Sequence, residues 1–148
     1  MYYTDEYFMR EALKEAQKAF EEGEVPIGAI AVFENKIIAR SHNLTEKLKD
    51  CTAHAEILCV TTVNEIVGSK YLHNISIYVS LEPCVMCAGA LFWSQINKLI
   101  YAAEDEKRGF SKFGNLLHPK TEIIKGILKK DSENLMKEFF LKVRQRNK

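Results

Sequence analysis

Apolar positions recur at helical spacing near the N-terminus. Phe8, Ala12, Ala16, Ala19 and Phe20 share one side of the segment 5–22, with Glu and Lys on the other, which predicts an amphipathic helix ended by Gly23. The pattern then changes. Pro26 opens the short apolar run Ile27 to Phe33, and Glu34-Asn35-Lys36 reads as a turn into a returning strand that ends at Arg40. A polar connection follows from Ser41 to Thr52. A second helix is expected from Ala53 to Val67, with Thr52 or Asp50 as its N-cap, broken by Gly68-Ser69-Lys70. The β-branched run Ile75 to Ser80 predicts a strand, Pro83 to Ser94 a third helix, and Lys98 to Ala102 another strand. The connection 103–120 exceeds the roughly 12–15 residues usual for a structureless loop, so it is expected to be functional or partly ordered. A last strand over 122–127 and a last helix over 131–146 complete the chain.

Strands that alternate with helices from the second strand onward imply a largely parallel sheet covered on both faces. The expected fold is a single α/β domain over 1–148: three layers, α/β/α, around a mixed five-stranded sheet whose first strands form an antiparallel hairpin. The second helix and the strand that follows it are read as the crossover between neighbouring parallel strands.

Composition narrows the function class only slightly. No apolar run approaches the ~18 residues that span a bilayer, so no membrane partner is expected. The N-terminal run Met1-Tyr2-Tyr3-Thr4-Asp5-Glu6 lacks the basic and apolar regions of a secretory leader, which points to a cytoplasmic protein. In that compartment Cys51, Cys59, Cys84 and Cys87 are expected as thiols or metal ligands before disulfides. A net charge of +1 leaves any nucleic-acid contact to a local patch.

The chemistry concentrates in two stretches, Thr52-Ala53-His54-Ala55-Glu56 and Leu81-Glu82-Pro83-Cys84-Val85-Met86-Cys87. One imidazole and two thiolates can hold a zinc ion and leave its fourth position open to water. A carboxylate beside that water can move its protons, which suits Glu56 as general acid–base. His54 and Glu56 lie about 200° apart around a helix, so they converge only on a point off the helix end. Cys84 and Cys87 do share a helix face, and both pairs are expected in first turns. Helix N-termini there would favour thiolate over thiol. One competing reading uses Cys51: Cys51, His54, Cys84 and Cys87 could form a closed Cys₃His structural site, leaving Glu56 without a role. Cys59, inside the second helix, reads as a packing residue.

The combination His-x-Glu and Pro-Cys-x-x-Cys is the signature of zinc nucleobase deaminases. Over nearly its whole length, from about Glu6 to Arg144, the chain resembles the bacterial tRNA-specific adenosine deaminases of the cytidine-deaminase-like superfamily. The resemblance includes Val25-Pro26-Ile27-Gly28-Ala29, Asn43, both metal stretches through Ala88-Gly89-Ala90, Asp105 to Gly109, Leu117-His118-Pro119, and the closing Phe139-Phe140 helix. It implies that His54, Cys84 and Cys87 bind one Zn²⁺ per subunit and that Glu56 is the proton shuttle. It implies further that Asn43 bonds the extruded purine, that Ile27 and Ala55 line its pocket, and that Asp105 and Lys107 meet flanking nucleotides. The substrate would be a tRNA anticodon stem-loop, with no DNA partner, and the enzyme a homodimer whose sites borrow residues from the partner. Cys51 stands where proline is usual and Ala103 where glycine is common. Trp93 is shared with guanine deaminases, which keeps a free-base substrate open. The basic residues Lys137, Lys142, Arg144, Arg146 and Lys148, and the loop residues Lys107, Arg108 and Lys112 with Phe110 and Phe113, suit splayed, stacked bases. A solvated helix face with Phe139 or Phe140 in the core explains the closing helix equally well.

Overall fold

The computed structural model describes residues 2–147; Met1, from the N-terminal run, and Lys148, from the basic C-terminal segment, lie outside them. Helix α1 spans Asp5–Glu21 and is capped by Thr4, whose hydroxyl accepts from the Tyr7 N–H. Strands β1 (Gly28–Phe33) and β2 (Lys36–His42) form the expected hairpin, with β2 running two residues past Arg40. Then follow α2 (Thr45–Leu48), α3 (Ala55–Val67), β3 (Ser76–Leu81), α4 (Val85–Ser94), β4 (Lys98–Ala103), β5 (Glu122–Lys125) and α5 (Lys129–Arg146). No helix among the described residues is long and apolar enough to cross a membrane.

The sheet order is β2-β1-β3-β4-β5. Pairing is antiparallel for β2–β1 and β1–β3, and parallel for β3–β4 and β4–β5. The sheet is therefore mixed, and β1 alone runs against the other four strands. This corrects the crossover: β2 and β3 are parallel but not neighbours, because β1 lies between them. A hairpin returns the chain for the cost of a tight turn, so β1 pairs on both its edges.

Strand residues alternate between two cores. Ala29, Ala31, Ile77, Val79, Leu99 and Tyr101 face one side, where α3 and α4 supply Ala55, Cys59, Val63, Ala88 and Leu91. Ile30, Val32, Tyr78, Ile100 and Ala102 face the other, against Phe8, Met9 and Ala12 of α1. On that side α5 is anchored by Phe139, edge-on to Phe20, while Ser132 donates to the Ser80 carbonyl.

Gly28 explains how closely α1 approaches. A β-carbon there would overlap the backbone of Ala12 and Ala16. Gly28→Ala is expected to cost about 2–3 kcal/mol by overpacking, lowering the melting temperature by about 5–10 °C. An unchanged thermal melt would show that α1 can slide away freely.

Further differences from expectation lie in the connection before α3 and in the last two elements. The connection 41–52 contains α2, because the buried carboxylate of Glu24 accepts from the N–H groups of Glu46 and Lys47 at 2.9 and 2.8 Å. The last strand ends at Lys125, before Gly126 turns with φ of 94°, so Ile127 lies outside it. The last helix begins at Lys129, two residues earlier than expected.

Candidate metal centre and active site

The sheet register lines up the site. His42 at the end of β2 pairs with Gly28 at the start of β1, Ala29 pairs with Val79 near the end of β3, and Leu81 pairs with Ala103 at the end of β4. The carboxyl ends of β2, β3 and β4 thus share one edge of the sheet with the segment entering β1. Open α/β sheets bind ligands at such an edge.

Helices α3 and α4 both begin there, each preceded at its N-cap by a residue that could hold a metal. His54, not Thr52 or Asp50, is the N-cap of α3; its backbone is extended and its carbonyl accepts from the Leu58 N–H at 3.0 Å. Asp50 instead closes its own turn, accepting from the Thr52 N–H and hydroxyl. α4 begins at Val85 and not at Pro83, with Cys84 as its N-cap, the Cys84 carbonyl accepting from the Ala88 N–H at 2.9 Å. Neither side chain is spent on capping through a conventional hydrogen bond. An N-cap side chain leaves the helix end sideways, which lets His54 and Glu56 converge despite their angular separation. Ser41 fixes the approach of α3 by donating to the Ala55 carbonyl at 2.7 Å.

His54 Nδ1 lies 3.7 Å from Cys84 Sγ and 3.4 Å from Cys87 Sγ, and all three donor atoms fall within 4.8 Å of one another. Zn–S and Zn–N bonds of ordinary length, at tetrahedral angles, separate sulfur from nitrogen by about 3.5 Å. The donor set therefore fits that metal without rearrangement. Cys51 is exposed and does not belong to this group, so a closed Cys₃His site is not assembled. Cys59 is buried among core residues, its thiol pushed up to about 12 by burial, as a packing residue should be.

The electrostatics of the three donors are coupled. The thiol and N–H of Cys87 face the Cys84 sulfur and, with His54, bring Cys84 down to about 4, while Cys87 is pushed up by that neighbour and by burial. His54 is raised chiefly by its hydrogen bond to Cys84. Glu56 is 3% exposed, and burial pushes it up to about 7. Its Oε1 has no hydrogen-bond partner. Asn43 matches it: the backbone N–H donates to the Ile27 carbonyl at 3.0 Å, Nδ2 donates to the Val25 carbonyl at 3.4 Å, and buried Oδ1 has no partner. Buried polar atoms are nearly always paired, so two orphans at one edge of the sheet point to a ligand. Ile27 is half-buried and Ala55 fully buried, both apolar.

Asp105 and Lys107 lie in the connection after β4. Asp105 Oδ1 accepts from the N–H groups of Lys107 and Arg108, so that oxygen shapes the turn, while Lys107 is exposed. The connection is partly ordered: a 3₁₀ turn spans Phe110–Phe113. Phe110 is buried edge-on to Tyr101, whereas Phe113 is 64% exposed. On α5, Lys137, Arg144 and Arg146 are exposed, and Lys142 lies over the Phe20 ring. Phe139 is buried and Phe140 exposed. Two buried carboxylates, Glu24 and Glu82, were not singled out by sequence reasoning. Glu82 was legible only as a neighbour of Pro83-Cys84, and Glu24 had no signal.

A family model described as MafB19-like deaminase matches residues 3–144. A tRNA-specific adenosine deaminase of Bacillus subtilis (strain 168) is 41% identical over 150 residues, covering 97% of this chain and 93% of the relative. A solved structure from work on A-to-I editing by tRNA:A34 deaminases at the wobble position superposes with a TM-score of 0.81 at 39% identity. It covers 87% of this chain and 98% of that one. The fold is also that of a guanine deaminase from Nitrosomonas europaea, with a TM-score of 0.81 at 24% identity over 92% of this chain and 84% of that one.

Proposed function

The chain belongs to the MafB19-like deaminase family, among the tRNA-specific adenosine deaminases, and we propose that it converts adenosine to inosine at the wobble position of a tRNA anticodon. The observation that carries this reading is the pair of orphaned buried atoms, Glu56 Oε1 and Asn43 Oδ1, beside three metal-capable donors. In the reaction, water adds at C6 of adenine and ammonia leaves. His54, Cys84 and Cys87 would hold one Zn²⁺ per subunit, which when bound supplies Lewis acidity that brings the pKa of water down to ~7. Glu56 takes one proton of that water and passes it to the ring nitrogen beside C6; it then takes the proton of the hydroxyl now on C6 and gives it to the departing amine, so that C6 becomes a carbonyl as ammonia leaves. Its burial suits both halves of this task, because a carboxyl poised near neutrality accepts and returns a proton readily. Asn43 Oδ1 offers an acceptor to a donor on the base, and Ile27 and Ala55 form apolar walls around it.

The flanking RNA would be met by Asp105, Lys107 and the basic face of α5, in a single strand whose bases are splayed. Single-stranded loop geometry and the 2′-hydroxyls favour RNA over DNA as partner, and a tRNA substrate is consistent with a cytoplasmic enzyme. Val85 and Met86, next to Cys84 and Cys87 in the chain, and Trp93 near the far end of α4 are exposed. These exposed apolar side chains would be covered by a second copy, in a homodimer in which each site is completed by its partner.

Zinc-loaded protein incubated with an anticodon stem-loop carrying wobble adenosine should yield inosine. Turnover of free guanine with the RNA untouched would replace the substrate. Reversing Lys137, Arg144 and Arg146 to Glu is expected to weaken stem-loop binding and flatten the dependence of log Kd on log salt by about 2 or more. An unchanged slope would return α5 to a solvated helix face.

A further inference from the structure

Glu82 is 3% exposed, immediately after β3 and before the metal-ligating turn. Its Oε1 accepts from the Asp105 N–H at 3.0 Å and its Oε2 from the Ser111 N–H at 2.9 Å. Backbone bonds run beside them: the Glu82 N–H donates to the Ala103 carbonyl at 2.8 Å, and the Phe110 N–H donates to the Pro83 carbonyl at 3.0 Å. Cys84 itself forms an isolated bridge with Gly109. Gly109 packs so tightly on the carboxylate that a β-carbon there would overlap it.

Among the described residues no cation lies within ion-pair distance of Glu82. A buried carboxylate is costly, and an apolar side chain of similar volume would serve stability alone at least as well. What the carboxylate does that an apolar side chain cannot is hold both ends of the 105–111 loop through main-chain donors. Asp105, Lys107 and Arg108 then project from a loop whose path is set from the metal-ligating side.

We propose that Glu82 is a positioning residue: it locks the 105–111 loop to the Pro83–Cys84 turn, so that RNA gripped by the loop is presented to the metal centre in one register. This rests on the RNA reading above. Through its two bonds the loop and the ligand turn move as one body, and loosening them separates RNA grip from chemistry. Gly109 is part of the same lock, because only a residue without a side chain leaves room for the carboxylate.

The test uses zinc-loaded Glu82→Gln, which keeps the side chain's length but sets an amide N–H₂ against one of the two N–H donors. Hydrogen–deuterium exchange at the Asp105 and Ser111 amides should quicken about tenfold or more, with exchange in β3 unchanged. KM for the stem-loop should rise by about tenfold or more, with kcat within about threefold and one zinc retained. Gly109→Ala should reproduce the effect, and the double variant should be no worse than either, as expected for residues acting through one contact. If Glu82→Gln fails to fold, Ser111→Pro removes one donor from the loop side and should give the same exchange and KM shifts. Loss of zinc, wild-type loop exchange, or a fall in kcat without a rise in KM would each overturn the proposal. If wild-type protein does not act on the stem-loop, the RNA reading fails, and the exchange measurement still decides whether Glu82 holds the loop.

Discussion

Glu56→Gln is expected to lower turnover of the stem-loop by about three orders of magnitude while zinc content stays at one per subunit and RNA affinity is unchanged. The side chain is buried and contributes nothing to the exposed surface that RNA would meet. It is also outside the three donors that converge, so the amide should not disturb the metal. Stability separates this loss from simple damage. Glu56 carries a buried oxygen with no partner, and burial raises its pKa; both are costs of keeping a carboxylate there. A neutral amide of the same shape relieves the charge, so the variant should melt at or above the wild-type temperature. Substantial residual turnover would mean that another group moves the proton, and a lowered melting point would make the activity loss structural.

Much of this was legible in the chain. The cores follow directly from period-two alternation in β1, β3 and β4 and from the apolar stripe of α1, since side-chain direction in regular elements is set by geometry alone. The convergence of His54, Cys84 and Cys87 was also legible, because ligand chemistry restricts which residues can meet. The finer placement was not. His54 and Cys84 were expected inside first turns, and both are N-caps. Sequence rules assign caps to Ser, Thr, Asp and Asn, which compete for free N–H groups, whereas here the cap positions are held by residues reserved for another purpose. α2 and the 3₁₀ turn at Phe110 were hidden for a different reason. Neither has an amphipathic repeat; each is ordered by a distant buried carboxylate, Glu24 or Glu82, that accepts its backbone N–H groups. Such bonds involve no partner side chain, so they leave no pattern in the residues they organise. The same holds for β1 lying between β2 and β3: strand order is decided by how faces stack, after local pairing is satisfied.

Cys87→Ser is expected to weaken zinc binding by more than about a hundredfold, beyond the effect typical of changes outside the ligand set, and to abolish turnover. Cys51→Ser should leave both intact. Serine is nearly isosteric with cysteine, but its hydroxyl stays protonated at neutral pH and is a poor zinc donor, so the substitution removes a ligand with little change in volume. Cys87 is buried with Sγ 3.4 Å from His54 Nδ1, and Cys51 is exposed outside the donor group. The contrast between these two cysteines distinguishes an open three-ligand centre from a closed four-ligand one. A closed site would lose zinc in both variants and would have no coordination position for water. An open site loses it in only one. Metal content measured on both proteins, purified identically, therefore decides whether Glu56 stands beside a reactive position or a sealed one.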